Sequence, residues 1–101
     1  MIPSRAAALA VLMGLSAPVL HAQDTTLARS LAATCANCHG TDGRARDAVP
    51  ALAGMPAATL VAAMGEFKAG TRSATIMQQI AKGYTDEQIR VIAAYFAQTK
   101  P

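Results

Sequence analysis

The sequence predicts an all-α protein of about four short helices. Apolar residues recur at intervals of three and four positions in four separate segments of the 101-residue chain, which is the spacing of one face of a helix. Capping residues precede these segments and glycines follow most of them. No segment has the alternation of apolar and polar residues that is typical of a strand. These observations favour helices packed together over any fold with a sheet.

The first predicted helix covers residues 25–34, and Asp24 or Thr25 is its expected cap. Leu27 and Leu31 lie on its apolar face. A polar, glycine-containing loop over residues 40–49 separates this helix from the next.

The second predicted helix covers residues 56–68. It begins at Pro56, a residue favoured in the first helical turn, and ends before Gly70. Its expected apolar face consists of Leu60, Met64 and Phe67.

The last two predicted helices each carry a capping signal. The third is short: Thr75 and Gln78 have the spacing of a capping box, and Gly83 ends it. The fourth begins with Thr85 and Gln88 at the same spacing. Its expected buried stripe is Ile89, Ile92, Ala93 and Phe96.

Residues 35–39 read Cys-Ala-Asn-Cys-His, the C-x-x-C-H signature for attachment of a c-type haem. Two thiols at this spacing can form thioethers to the two vinyl groups of one haem, and the following imidazole becomes the proximal iron ligand. Cys35 and Cys38 are the only cysteines, and His39 is one of two histidines. The motif therefore predicts one covalent haem c on Cys35 and Cys38, with His39 bound to the iron.

Three other meanings of the motif fit less well. A structural zinc site needs four ligands, usually from two such pairs, and the chain has no second pair. A thioredoxin-like dithiol needs a βαβ setting. A disulfide in an exported protein stays open as an alternative, but so small a loop would constrain the unfolded chain little.

The first 22 residues have the pattern of a cleavable signal peptide. Arg5 gives the beginning a positive charge, residues 6–15 are apolar, and Ala22 ends a small-residue cleavage site. The apolar run is too short to span a bilayer comfortably, so retention as an uncleaved membrane anchor is the minor alternative. We therefore expect a periplasmic mature chain of residues 23–101 that forms one single-haem domain without a membrane span.

The charge of the chain argues against a nucleic-acid partner. The net charge is +3, and it falls to +2 when Arg5 is removed with the leader. Two haem propionates would bring the holoprotein near neutrality. The basic residues are scattered and form no run interleaved with aromatic residues.

An exported all-α domain with C-x-x-C-H near its start resembles a class I cytochrome c over essentially all of residues 23–101. The resemblance implies that the helices 25–34 and 85–99 cross, and that the haem lies between a histidine and a methionine. The segment Val-Pro-Ala-Leu-Ala-Gly resembles the family's proline turn. This match implies that the Pro50 carbonyl accepts a hydrogen bond from the His39 ring, which would fix its orientation.

Three methionines outside the leader are candidates for the sixth iron ligand. Met64 lies on an apolar helical face, where a methionine is more often part of the core. Met55 directly follows the proline turn, which is expected to lie on the histidine side of the haem. Met77 lies at a boundary between loop and helix and resembles the family's axial methionine. Arg72, in the loop before Met77, is the candidate for a propionate contact.

More narrowly, residues 75–89 (TIMQQIAKGYTDEQI) resemble the cytochrome subunit of flavocytochrome c sulfide dehydrogenase. This resemblance implies one-electron transfer from an FAD-containing subunit that oxidises sulfide. Some members of that family carry two haem domains, whereas this chain has one C-x-x-C-H. The same pattern occurs in small cytochromes of the c4 and c5 types, so a freely diffusing carrier to a terminal oxidase is the alternative.

A catalytic haem of the peroxidase type is the rival class of function. It needs a vacant or displaceable sixth position and a distal acid–base residue. If His39 is the proximal ligand and His21 leaves with the signal peptide, no histidine is left for that role. Glu66 is then the substitute to consider. We therefore expect an electron-transfer protein rather than an enzyme.

Overall fold

The computed structural model describes residues 18–101, and this part of the chain is helical without any strand. Its five α-helices are α1 (Pro18–Ala33), α2 (Ala36–His39), α3 (Ala57–Ala69), α4 (Met77–Lys82) and α5 (Asp86–Gln98). The all-α prediction is confirmed. The single-turn helix α2 was not predicted, because four residues are too few to carry a periodic pattern. Residues 1–17 of the predicted signal peptide lie outside the described residues.

Helix α1 differs from its prediction at both its start and its buried face. It begins at Pro18 instead of near Thr25, and proline is well tolerated in a first turn. Leu27 is 53% exposed, whereas Ala32 is buried. Among residues 24–33 of α1, whose burial is described, only Ala32 is buried, so the core covers the C-terminal end of this part of the helix.

Helix α5 follows its prediction closely. The Thr85 hydroxyl accepts a hydrogen bond from the Gln88 amide at 3.1 Å, and the Gln88 side chain accepts one from the Thr85 amide at 2.9 Å. The capping box is thus complete. All four residues of the predicted stripe are buried: Ile89, Ile92, Ala93 and Phe96.

Helix α3 also forms where it was predicted. Pro56 is its N-cap, and Gly70 ends it in the left-handed region with φ +75°. Leu60 and Met64 are buried, while Phe67 is half-buried against the core. The predicted face of α3 is therefore the one that packs.

Helix α4 lacks the predicted cap. Ile76, not Thr75, is the N-cap, and no side chain caps the helix. The Gln78 side chain is engaged elsewhere, since its Nε2 donates to the Arg72 carbonyl at 2.8 Å. The prediction of a capping box at Thr75 is therefore wrong, whereas the end of the helix at Gly83 is confirmed.

Helix α5 is central to the packing, because it contacts both α1 and α3. Helix α4 packs against α3. The contact between α1 and α5 is the pairing of first and last helices that a class I cytochrome would have. Within residues 18–101, no helix is long and apolar enough to cross a membrane.

Candidate functional site

The C-x-x-C-H motif forms a single helical turn directly after α1. The Cys35 amide donates to the Ala32 carbonyl at 3.1 Å, and the His39 amide donates to the Cys35 carbonyl at 2.9 Å. Residues three and four positions apart are neighbours on a helix surface. The turn therefore brings Cys35, Cys38 and His39 to the same side, as attachment of one flat group requires.

No disulfide joins Cys35 and Cys38. Cys35 is half-buried and Cys38 is exposed. Burial raises the pKa of the Cys35 thiol, and a hydrogen bond with the Thr34 side chain partly opposes that shift. The two thiols differ in environment although they belong to one motif.

The ring of His39 is oriented by the proline turn. Its Nδ1 lies 2.6 Å from the Pro50 carbonyl oxygen. A carbonyl can only accept a hydrogen bond, so Nδ1 carries the proton and donates it. The other ring nitrogen, Nε2, then has a free lone pair for a metal ion.

A double hydrogen bond to one glycine holds the proline turn in place. The Gly43 carbonyl accepts from the Leu52 amide at 2.8 Å and from the Ala53 amide at 3.1 Å. The Gly54 amide donates to the Phe96 carbonyl at 2.9 Å, which ties the turn to α5. The position of the Pro50 carbonyl thus depends on Gly43 and on the C-terminal end of α5.

The sequence predicts only a glycine-containing loop over residues 40–49, but the surroundings of Gly43 in the fold require glycine. Its φ is +72°, and an added Cβ would lie 2.8 Å from a ring carbon of Phe96 and 2.9 Å from the Ala53 amide nitrogen. In the sequence, the only indication that position 43 needs glycine was the presence of Gly40 and Gly43 in one polar loop. It could not reveal the contact with Phe96, which is 53 positions further along the sequence.

The three candidate methionines have different surroundings. Met64 is 8% exposed and belongs to the core cluster. Met55 is half-buried, and its amide donates to the Leu52 carbonyl within the turn at 3.0 Å. Met77 is the first residue of α4 and is half-buried against the core. Its neighbour Ile76 is 57% exposed.

Arg72 is engaged with two side chains near the end of α3. Its guanidinium lies 3.4 Å from a carboxylate oxygen of Glu66 and 5.2 Å from the centre of the Phe67 ring. The side chain is 51% exposed, so the ion pair is largely solvated and weak. Arg72 therefore keeps accessible donors for a further anionic group.

A separate open groove lies between α1 and α5. Its volume is about 190 Å³. It is lined by Arg29, Ala32, Ala33, Ala36, Thr41, Asp42, Tyr95 and Phe96. The groove shares Ala36 with the C-x-x-C-H motif, but Cys35, Cys38 and His39 do not line it.

The sequence model of the cytochrome c family matches residues 27–100. The chain belongs to the cytochrome c family. Its binding of haem c follows from this membership, and the donor set of Cys35, Cys38 and His39 fits the group. Thiols three positions apart on one helical turn suit two thioether bonds to one haem, and the lone pair on Nε2 of His39 suits the iron. The bound haem supplies a reversible one-electron change of its iron.

Three relatives illustrate the range of this cytochrome's family. It is 44% identical over 66 residues to the cytochrome subunit of sulfide dehydrogenase from Chlorobaculum tepidum, which covers 65% of this chain and 60% of that protein. The chain is also 41% identical over 69 residues to the thiosulfate dehydrogenase electron acceptor of Stutzerimonas stutzeri. This match covers 66% of the chain and 32% of that protein. The chain is 34% identical over 89 residues to cytochrome c4 of Pseudomonas aeruginosa. This match covers 87% of the chain and 44% of that protein.

The chain thus spans between about a third and three fifths of the length of these relatives. Their names describe two cytochromes and an electron acceptor. Membership of the cytochrome c family supports electron transfer as the role of the bound haem.

Proposed function

We propose that this cytochrome transfers single electrons in the periplasm through a haem ligated by His39 and Met77, and that it accepts them from an FAD-containing sulfide dehydrogenase subunit. The hydrogen bond of 2.6 Å between His39 Nδ1 and the Pro50 carbonyl carries the proposal. It holds the imidazole in the tautomer whose Nε2 can bind iron.

The surroundings of the methionines support Met77 as the second ligand. The side chain of Met64 is enclosed among core residues, and Met55 belongs to the turn that serves His39. Met77 is only partly covered by protein at the start of α4. Ligation by histidine and methionine raises the reduction potential and fills both axial positions, which suits electron transfer and disfavours substrate binding at the iron.

Arg72 is the proposed contact for a haem propionate. Its guanidinium is 51% exposed, and planar guanidinium groups bind carboxylates in bidentate geometry. Its backbone carbonyl accepts a hydrogen bond from the Gln78 side chain of α4 at 2.8 Å, so Arg72 lies close to the helix that carries Met77.

Substitution of each methionine by leucine tests the axial ligand, because this exchange nearly conserves volume. We expect Met77→Leu to remove the near-infrared absorption of a ferric iron–methionine bond and to let the ferrous protein bind carbon monoxide. Met64→Leu and Met55→Leu are matched controls and should retain the wild-type spectra. If Met77→Leu kept the iron–methionine absorption, the ligand assignment would be refuted.

The similarity to the sulfide dehydrogenase subunit, 44% over 66 residues, supports the proposed donor. The test is purification of the native protein from a membrane-free extract at low salt, followed by one absorption spectrum. Haem c with near-stoichiometric flavin would support the complex. Haem c alone would instead favour the second candidate, a freely diffusing carrier to a terminal oxidase, which the similarity to cytochrome c4 favours.

Export is part of the same proposal. Residues 1–22 are the proposed signal peptide and residues 23–101 the single-haem domain. The mass of the purified holoprotein tests both: we expect a polypeptide that begins at Gln23 and carries one haem. A mass that includes residues 1–22 would contradict cleavage.

A further inference from the structure

The helix that begins with Met77 has little stability of its own. Helix α4 has six residues and no side-chain cap, and isolated helices of this length do not persist in water. It packs against α3. The place of α4 relative to the C-x-x-C-H turn must therefore depend on contacts beyond the helix itself.

Tyr84, in the corner between α4 and α5, makes a direct contact with the end of α1. Its hydroxyl oxygen lies 2.6 Å from Thr34 Oγ1. The Thr34 hydroxyl oxygen also lies 3.1 Å from the Leu31 carbonyl oxygen, so Thr34 links Tyr84 to the last turn of α1. Because Thr34 immediately precedes Cys35, this bond reaches the residue next to the haem attachment point.

The backbone of Tyr84 is joined to two further helices. Its carbonyl accepts a hydrogen bond from Lys68 Nζ of α3 at 2.7 Å, and the same ammonium pairs with Asp86 at 3.1 Å. Its amide donates to the carbonyl of Ala81 in α4 at 3.2 Å. Ala81 is fully buried. Tyr84 therefore connects α4 with α3 through its backbone and with α1 through its side chain.

We propose that Tyr84 is a positioning residue, which holds α4, and with it Met77, at a fixed place relative to the haem attached at Cys35. The inference rests on the proposed function, in which Met77 binds the iron. Tyr84 acts only through other residues: its hydroxyl is already used by Thr34. Without the hydroxyl, the corner after α4 loses its hydrogen bond to α1, and Met77 is displaced from the iron more easily.

The test is titration of the ferric holoprotein with imidazole, followed by loss of the near-infrared iron–methionine absorption. We expect Tyr84→Phe to lower the imidazole concentration at half-displacement about two- to tenfold, the effect of one net hydrogen bond on an equilibrium. Tyr95→Phe is the matched control. It loses a hydroxyl bonded to Asp42 at 3.1 Å, which joins α5 to the loop after α2 and not to α4, and should titrate like the wild type.

Thr34→Val tests the same bond from its other partner. It should weaken Met77 ligation in the same direction, and the double variant with Tyr84→Phe should lose less than the sum of the two single effects. An unchanged titration of Tyr84→Phe, an equal shift in Tyr95→Phe, or additive effects in the double variant would overturn the positioning role. A wild-type protein without iron–methionine absorption would instead refute Met77 ligation itself.

Discussion

Replacement of Gly43 by alanine gives the sharpest test of how the fold orients His39. The glycine has φ +72°, and its carbonyl fixes the turn that carries Pro50 through the Leu52 and Ala53 amides. The left-handed conformation costs a non-glycine residue about 1–2 kcal/mol. The new Cβ would also lie 2.8 Å from the ring of Phe96, which is 1% exposed and has no room to move.

Forcing an extra methyl group into such packing costs about 1–3 kcal/mol. The two effects together predict that Gly43→Ala lowers the free energy of unfolding by about 2–5 kcal/mol. A small domain has about 5–15 kcal/mol in total. We therefore expect a folded but clearly destabilised protein.

Substitutions at two other glycines separate the cost of the left-handed conformation from the cost of the steric clash. Gly70 has φ +75° but open space around its Cβ position, so Gly70→Ala should lose only the conformational part, about 1–2 kcal/mol. Gly65 lies within α3 with nothing within 4 Å of its Cβ position. Gly65→Ala should therefore stabilise the protein by about 0.5–1 kcal/mol.

The assay is guanidinium denaturation of the three ferric holoproteins, followed by far-ultraviolet circular dichroism. The reduction potential is measured alongside, since only Gly43→Ala should disturb the Pro50 carbonyl and thus the hydrogen bond to His39. The reasoning would be refuted if Gly43→Ala were no less stable than Gly70→Ala.

Two further predictions concern the capping box and the thiols. Thr85→Ala removes the hydroxyl that accepts from Gln88 and should lower the free energy of unfolding by about 1 kcal/mol; an unchanged denaturation midpoint would contradict a stabilising cap. In the apoprotein at mildly alkaline pH, iodoacetamide should modify Cys38 before Cys35, because Cys35 is half-buried and burial raises its pKa. Mass spectrometry of timed samples measures the order, and faster modification of Cys35 would refute it.

Local signals in the sequence were sufficient for much of this protein. Cys35, Cys38 and His39 lie within five consecutive residues. Their spacing predicts haem attachment without any knowledge of the fold, since one helical turn brings these side chains together. The capping box at Thr85 and the end of α3 at Gly70 depend only on residues within a turn of each other. For the same reason, the buried stripe of α5 could be predicted from its period.

Only the tertiary structure decided features that join distant parts of the chain. The steric need for glycine at position 43 arises from Phe96, and Tyr84 meets Thr34 across 50 positions. Leu27 has the same local pattern as a core residue, yet it is exposed, whereas Ala32 of the same helix is buried. The sequence by itself determined which cofactor is attached and where most of the helices form, because both depend on residues that are neighbours along the chain. How firmly the side chains around the haem site are held depends on contacts that form only when the helices pack.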